Sequence, residues 1–161
     1  MSLAGSLAKT ALFTVVVPGT VAVLVPRAIA RATATAPSPP AALAAFALAL
    51  GAAGAVLYGV CAVDFARAAG TPAPIDPPKE LVARGPYRFS RNPMYVAVLA
   101  VIAAQALWQR SPALAGYAAA IAGAFHLFVV FYEEPTLARL FGDAYARYRA
   151  RVPRWLGRPR G

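Results

Sequence analysis

Four long apolar segments separated by polar stretches dominate the chain. A helix needs about 20 mostly apolar residues to cross the hydrocarbon core of a bilayer. Segments near that length span residues 7–26, 41–63, 93–108 and 112–132. The pattern predicts an all-α integral membrane protein with four transmembrane helices, forming a single membrane domain over residues 1–161.

Prolines and glycines mark the joints between these segments. Pro18-Gly19 predicts a kink in the first helix, and Pro93 suits the first turn of the third. Only residues 109–111 separate the third and fourth segments, which predicts a tight antiparallel hairpin. A polar stretch follows over residues 64–92, and its five prolines lie between Gly70 and Pro86, where we expect irregular structure.

The tail after the fourth segment has a helical pattern of its own. From Leu137, apolar and aromatic residues recur at helical spacing, with Arg139, Asp143 and Arg147 turned away from them. This spacing predicts a C-terminal amphipathic helix at the cytoplasmic surface of the membrane.

The basic residues are unevenly distributed between the two sides of the membrane. Charged residues make up only 14% of the chain, yet its formal net charge is +10. With the N-terminus inside, only Arg27, Arg31 and Arg110 of the 16 lysines and arginines fall on the outer side. The positive-inside rule therefore predicts cytoplasmic N- and C-termini. Because these charges flank apolar segments instead of covering a soluble surface, we expect no nucleic-acid binding.

Metal and disulfide chemistry are not expected. The chain has one cysteine, Cys61, and one histidine, His126. These allow neither an intrachain disulfide nor a metal site. No cleavage signal follows the first apolar segment, so we interpret that segment as a retained helix.

Two polar segments lie at the predicted cytoplasmic ends of the last two helices. The first reads RGPYRFSRNPMY over residues 84–95, and the second is the pair Glu133-Glu134. A carboxylate at membrane depth costs about 3 kcal/mol unless it is paired or hydrated. The two segments together would suit a small zwitterion. A helix end whose glutamates merely meet an arginine of the tail is the simpler interpretation.

The same residues resemble the isoprenylcysteine carboxyl methyltransferase family, which is akin to membrane phospholipid methyltransferases. The resemblance covers about residues 80–156 and is carried by an ordered set: Gly85, Tyr87, Arg91, Asn92, Pro93, Tyr95, Glu133, Glu134, Phe141, Gly142, Tyr145, Tyr148, Val152, Pro153 and Arg154. The N-terminal half matches only as generic membrane helices. Eukaryotic members carry histidine where Asn92 stands.

The resemblance implies an integral membrane enzyme that uses S-adenosylmethionine. Its substrate would be a small lipophilic acceptor (a carboxylate, amine or thiol) or a lipid, methylated at the cytoplasmic face of a bacterial inner membrane. The chain has no glycine-rich strand-to-helix turn of the kind found in Rossmann-like folds, in agreement with a membrane enzyme.

Roles for individual residues follow from the resemblance. Arg91 and Glu134 would be catalytic: Arg91 pairs with a carboxylate, and Glu133 or Glu134 neutralises the amino group or sulfonium of the cofactor. The implied cofactor-binding set is Gly85, Tyr87, Arg91, Asn92, Pro93, Tyr95, Glu133, Glu134, Tyr145, Tyr148 and Arg154. Arg154 would pair with the glutamates. The tyrosines are equally typical of interfacial anchors, and His126 is a candidate proton acceptor or a polar helix–helix contact.

Two other classes of protein remain open. Membrane reductases of the steroid-reductase type share a related C-terminal arrangement and use NADPH, for which the arginines would suit the 2′-phosphate. A non-catalytic membrane scaffold is the other alternative. The sequence identifies neither the acceptor nor the oligomeric state.

Overall fold

The computed structural model describes residues 3–33, 37–67 and 81–157, with side chains from residue 11 onward. The described part contains helices and no strand. Its α-helices are α1 (Leu3–Gly19), α2 (Val25–Ala32), α3 (Ala41–Arg67), α4 (Pro93–Gln109), α5 (Pro112–Phe128) and α6 (Glu134–Arg151).

A π-helical turn, Thr20–Leu24, joins α1 to α2 without a break in the helix. It follows the Pro18-Gly19 pair, where the sequence predicts a kink. Two backbone carbonyls here accept side-chain hydrogen bonds: Gln105 Nε2 donates to Ala22 at 2.7 Å, and Tyr117 Oη donates to Val21 at 2.8 Å. Helices α4 and α5 therefore hold the irregular turn in place.

Three helical stretches are long and apolar enough to cross a membrane. They are Ala11–Ala32, Ala41–Arg67 and Pro112–Arg151. Helix α4, Pro93–Gln109, is apolar but shorter. The structure thus supports three of the four predicted spans by length and composition, and α4 as a fourth span stays a prediction.

Helices α3 and α4 pack closely because glycine leaves room between them. A Cβ atom at Gly54 would lie 2.9 Å from the carbonyl oxygen of Ala97, and one at Gly51 would lie 3.2 Å from Cβ of Ala104. Small residues at helix interfaces let two backbones approach in this way. The contact brings the start of α4 beside the end of α3.

The connection between α4 and α5 is a tight turn, in agreement with the predicted hairpin. Arg110 adopts the left-handed conformation with φ of 49°, which ends α4. Ser111 then caps α5 by accepting a hydrogen bond from the backbone N–H of Leu114 at 3.3 Å, and Pro112 occupies the first turn.

One segment differs from the prediction. Helix α3 continues to Arg67, beyond residue 63 where the predicted span ends, so Asp64 is helical and buried. Residues 68–80, where most of the prolines of that stretch lie, are outside the described residues.

The residues of the predicted C-terminal amphipathic helix lie in α6, and its amphipathic character stays a prediction. A π-helical turn, Val129–Glu133, joins α5 directly to α6, so there is no separate helix beginning near Leu137. Gly142 has non-helical angles (φ 47°, ψ −124°) that interrupt α6. Leu140 is exposed, and the helical register changes at Gly142.

Candidate functional site

The π turn at the end of α5 places two consecutive glutamates in different surroundings. Glu133 is the last residue of that turn, and Glu134 is the first of α6. Glu133 Oε2 accepts a hydrogen bond from Tyr95 Oη at 2.8 Å. Glu134 is buried and faces arginine side chains instead. Neighbouring residues on a helix already point about 100° apart, and the wider π turn changes the register further.

Glu134 is the centre of an ion-pair cluster. Arg91 Nη1 lies 2.8 Å from Oε1, and Arg154 donates from Nε to Oε1 at 2.7 Å and from Nη2 to Oε2 at 3.0 Å. The side chains of Arg91 and Glu134 are only 9% and 10% exposed. Two-pronged arginine–carboxylate bonds are among the stronger polar contacts in proteins. The hydrogen bond to Glu134 also raises the pKa of Arg154, so this arginine stays charged.

The tail after α6 binds the turn before α4 through its main chain. The carbonyl oxygen of Pro153 accepts from the backbone N–H of Arg91 at 2.9 Å, and that of Arg154 accepts from Asn92 Nδ2 at 2.9 Å. The backbone N–H of Asn92 in turn donates to Ser90 Oγ at 3.1 Å. The cluster around Glu134 is therefore held together by main-chain hydrogen bonds as well as by ion pairs.

The turn Gly85–Arg88 places the side chain of Tyr87 in the protein interior. Gly85 has φ of 55°, and a Cβ atom at this position would lie 2.6 Å from Oδ2 of Asp64. Only glycine fits a site with both features. Asp64 is buried, and its Oδ1 lies 3.5 Å from Nε of Arg84. The end of α3 thus fixes the start of the turn.

Tyr87 is itself buried and tied to α6. Its carbonyl oxygen accepts a hydrogen bond from Tyr148 Oη at 2.7 Å, and its ring packs edge-on against Phe65. Burial raises the pKa of the Tyr87 hydroxyl well above its usual range, so this phenol stays protonated.

A cavity of about 500 Å³ lies between α1, α3, α4 and α5. One end is polar and is formed by Tyr87, Arg91, Asn92, Tyr95 and Glu133. The remaining walls are almost entirely apolar, with Phe13, Val17 and Pro18 from α1 and Phe125 and Phe128 from α5 among them. Binding sites for small molecules usually combine apolar walls with a few polar groups in this way.

Arg91 has one hydrogen-bond donor without a partner in the described part of the structure. Among the described residues, Nε of Arg91 is buried without a hydrogen-bond partner, although its Nη1 is bonded to Glu134 and, at 3.3 Å, to Tyr145 Oη. Buried donors are rarely left unpaired in proteins. Arg91 and Glu133 thus give the polar end of the cavity one positively and one negatively charged side chain.

The structure divides the predicted site residues into two groups. Tyr87, Arg91, Asn92, Tyr95 and Glu133 line the cavity. The other predicted residues do not line the cavity but stabilise the turn and the tail next to it, through ion pairs, hydrogen bonds or backbone conformation. They are Gly85, Pro93, Glu134, Tyr145, Tyr148 and Arg154.

His126 lies outside both groups. It is exposed on α5, its Nδ1 accepts a hydrogen bond from Trp155 Nε1 at 3.2 Å, and it does not line the cavity. This position favours the polar-contact interpretation over proton transfer. The described part of the chain also contains no group of three or more histidine, cysteine or acidic side chains that could hold a metal ion.

Several residues that shape the site were missed in the sequence. The apolar wall from α1 has no polar signal, since Phe13 and Val17 look like any membrane-facing residues. Asp64 had a signal: it is one of only six acidic residues and directly follows the uncharged segment 41–63. A lone carboxylate there indicates a buried partner.

The helical membrane fold and this cavity define a helical membrane protein with a cavity of small-ligand size at the end of α5. The sequence model of the phospholipid methyltransferase family matches residues 42–144, which is more than half of the chain. The chain therefore belongs to the phospholipid methyltransferase family and is a membrane methyltransferase. No curated protein and no solved structure matches it significantly.

The matched region contains most of the candidate site. It begins in α3 and ends in α6, so it contains the Gly85–Arg88 turn, α4, α5 and both glutamates. Helix α1, α2 and the tail that carries Arg154 lie outside it. The residues at the polar end of the cavity therefore lie within the matched region, whereas some residues of the apolar wall lie outside it.

Proposed function

We propose that this protein transfers a methyl group from S-adenosylmethionine to a lipophilic acceptor at the cytoplasmic face of the membrane. The observation that carries the proposal is the cavity of about 500 Å³ with one polar end and otherwise apolar walls. A polar methyl donor and an apolar acceptor require this kind of divided surface. The count of lysine and arginine on each side of the membrane supports the cytoplasmic orientation.

The residues at the polar end fit the donor. S-adenosylmethionine carries an ammonium group, a sulfonium, a carboxylate and an adenine ring. The Glu133 carboxylate suits either cation, and the Arg91 side chain, which also lines the cavity, suits the carboxylate. Aromatic side chains such as Tyr87, Tyr95 and Phe125 line the same cavity and suit a stacked adenine.

The geometry supports different roles for the two glutamates. Both oxygens of Glu134 are already bonded to arginines. It therefore positions Arg91 and is not free to bind a second cation, which differs from the catalytic role that the family resemblance implies for it. Glu133 lines the cavity, so we assign the contact with the ligand to Glu133 and Arg91.

Methyl transfer requires aligned partners and little water. When bound, S-adenosylmethionine supplies a methyl group on a sulfonium, whose positive charge is lost on transfer. The apolar walls exclude water from the reacting groups, which favours transfer to an anionic acceptor, because the charges of sulfonium and acceptor then neutralise each other. A carboxylate acceptor needs no base, whereas an amine or a thiol must lose a proton. Glu133 is the carboxylate on the cavity wall that is placed to accept it.

Family membership does not favour the NADPH-dependent reductase. A direct test compares binding of S-adenosylhomocysteine and of NADPH to the purified protein by isothermal titration calorimetry. We expect S-adenosylhomocysteine to bind and NADPH not to bind. Stronger binding of NADPH would reject the methyltransferase, and binding of neither would favour the non-catalytic scaffold.

Two variants localise the binding. Glu133→Gln keeps the size and hydrogen-bonding capacity of the side chain but removes its charge, and we expect it to weaken binding of S-adenosylmethionine by about tenfold or more. Asp143→Asn makes the same change at an exposed carboxylate of α6 and should leave binding unchanged. Equal losses in the two variants would show that the effect is not local to the cavity.

A further inference from the structure

Helix α6 folds back towards its own beginning. It has 18 residues, from Glu134 to Arg151, and a straight helix of that size would be about 27 Å long. Three further extended residues span only about 10 Å. Yet Arg154, which lies three residues beyond the end of α6, donates a hydrogen bond to Glu134, the first residue of α6, at 2.7 Å. The helix must therefore change direction between its two ends.

Gly142 is the residue at which the direction changes. Its angles, φ of 47° and ψ of −124°, are close to those of the first central residue of a type II′ turn, where glycine is preferred. Gly142 is exposed, and an added Cβ atom would meet no atom of the described residues within 4 Å. Glycine is therefore required here for its backbone conformation and not for lack of space.

The segment after the bend reaches the candidate site through its tyrosines. Residues 143–151 are exposed except for Tyr145, which is buried, and Tyr148, which is half-buried. Nη1 of Arg91 donates to Tyr145 Oη at 3.3 Å and lies 2.8 Å from Glu134 Oε1. One nitrogen atom of Arg91 is thus held from both halves of α6, by Glu134 before the bend and by Tyr145 after it.

A straight α6 would not hold Arg91 in this way. Glu134 and Tyr145 would then lie about 16 Å apart along the helix axis. The side chain of Glu134 would also lean away from Tyr145, because helical side chains tilt towards the N-terminus of their helix. Since Arg91 lines the cavity, the bend at Gly142 affects the orientation of a charged group at its polar end.

We propose that Gly142 is a positioning residue for the methyl donor: its positive φ brings Tyr145 onto Arg91 and so fixes the guanidinium of Arg91 towards the carboxylate of the donor. The inference rests on the proposed function, which assigns that carboxylate to Arg91. Gly142 and Tyr145 do not themselves line the cavity, so they act through Arg91. Changes at either residue therefore weaken recognition of the carboxylate more than recognition of the nucleoside.

The test uses two ligands that differ only in this carboxylate, S-adenosylhomocysteine and its decarboxylated analogue, which keeps the amine. Titration calorimetry on the full chain in detergent gives both dissociation constants, and their ratio measures the contribution of the carboxylate. The ratio is determined for the wild type, Gly142→Ala and Tyr145→Phe. The matched control is Gly116→Ala, at an exposed helical glycine of α5 where an added Cβ atom also meets no described atom within 4 Å.

We expect the wild type and Gly116→Ala to bind S-adenosylhomocysteine about tenfold more tightly than the analogue. The ratio should fall about fivefold in Gly142→Ala and about threefold in Tyr145→Phe. Gly142→Asn should keep more of the ratio than Gly142→Ala, because asparagine is among the residues favoured at such turn positions. If the alanine variant does not fold, Gly142→Asn and Tyr145→Phe decide the test.

A general loss of structure would weaken binding of both ligands equally and leave the ratio unchanged. An unchanged ratio in Tyr145→Phe, or in the variants of Gly142, would therefore overturn the positioning role. A wild type that binds both ligands equally well would overturn it too, since Arg91 would then not recognise the carboxylate. If the wild type does not bind S-adenosylhomocysteine at all, the proposed function itself is contradicted.

Discussion

Glu133 and Glu134 stand side by side in the chain, and the regions around them differ in almost every physical respect. Glu134 sits among two arginines and the main chain of the tail, where both of its oxygens are bonded. Glu133 has Tyr95 as a hydrogen-bond partner and lines a mostly apolar cavity. A carboxylate that is fully paired stabilises the fold, whereas one that faces open space can bind a cation. The same residue type thus has two roles, decided by its neighbours.

The largest expected effect is loss of the charge at Glu134. Glu134→Gln leaves Arg91 buried without a counter-ion, and breaking a buried ion pair on one side costs about 3–5 kcal/mol. We expect that decrease in the free energy of unfolding, measured by chemical denaturation in detergent. Asp143→Asn, at an exposed site, should change it by less than about 0.5 kcal/mol. A small effect of Glu134→Gln would show that the cluster does not hold the fold.

The second prediction concerns the backbone contacts of the same cluster. Asn92→Ala removes the hydrogen bond to the carbonyl oxygen of Arg154, which should lower the free energy of unfolding by about 1–2 kcal/mol. Asn92→His, which introduces the residue of eukaryotic relatives, offers a ring N–H to the same oxygen and should recover part of the loss. If the alanine variant were as stable as the wild type, the tail would not depend on this bond.

The third prediction concerns the hydrogen bond between Tyr95 and Glu133 at the cavity. Tyr95→Phe removes the hydroxyl that donates to Glu133, so the carboxylate loses its orientation. We expect the dissociation constant for S-adenosylmethionine to rise about fivefold, measured by titration calorimetry. The control is Tyr132→Phe, which changes an exposed ring on the π turn that also carries Glu133. Equal effects of the two variants would argue against a specific Tyr95–Glu133 pair.

The smallest expected effect is on stability at Glu133. Glu133→Gln keeps an acceptor for Tyr95 and breaks no ion pair among the described residues, so the free energy of unfolding should change by no more than about 1 kcal/mol. The measurement is made beside Glu134→Gln in the same detergent. A loss as large as that of Glu134→Gln would mean that both glutamates belong to one structural cluster, and the division proposed for them would be wrong.

Local patterns in the sequence were enough for much of the fold. Apolar length predicts the helices, and the three residues between α4 and α5 predict their hairpin. Each of these depends on contacts within a few residues along the chain, or on the thickness of a bilayer, and so can be inferred without knowing which helices touch. The ordered motif likewise identified the family, because those residue types recur at fixed spacing.

Which glutamate faces the cavity was decided by the tertiary structure alone. The two are chemically identical in sequence, and their directions depend on the π turn before them and on where Arg91 and Arg154 approach. Gly85 is similar: its place in the motif was visible, but its reason is Asp64, which lies 21 positions earlier and meets it only because α3 packs on α4. The apolar wall formed by α1 was not visible at all. Apolar side chains facing lipid and those facing a cavity satisfy the same hydropathy pattern, and only the packing of the helices distinguishes them.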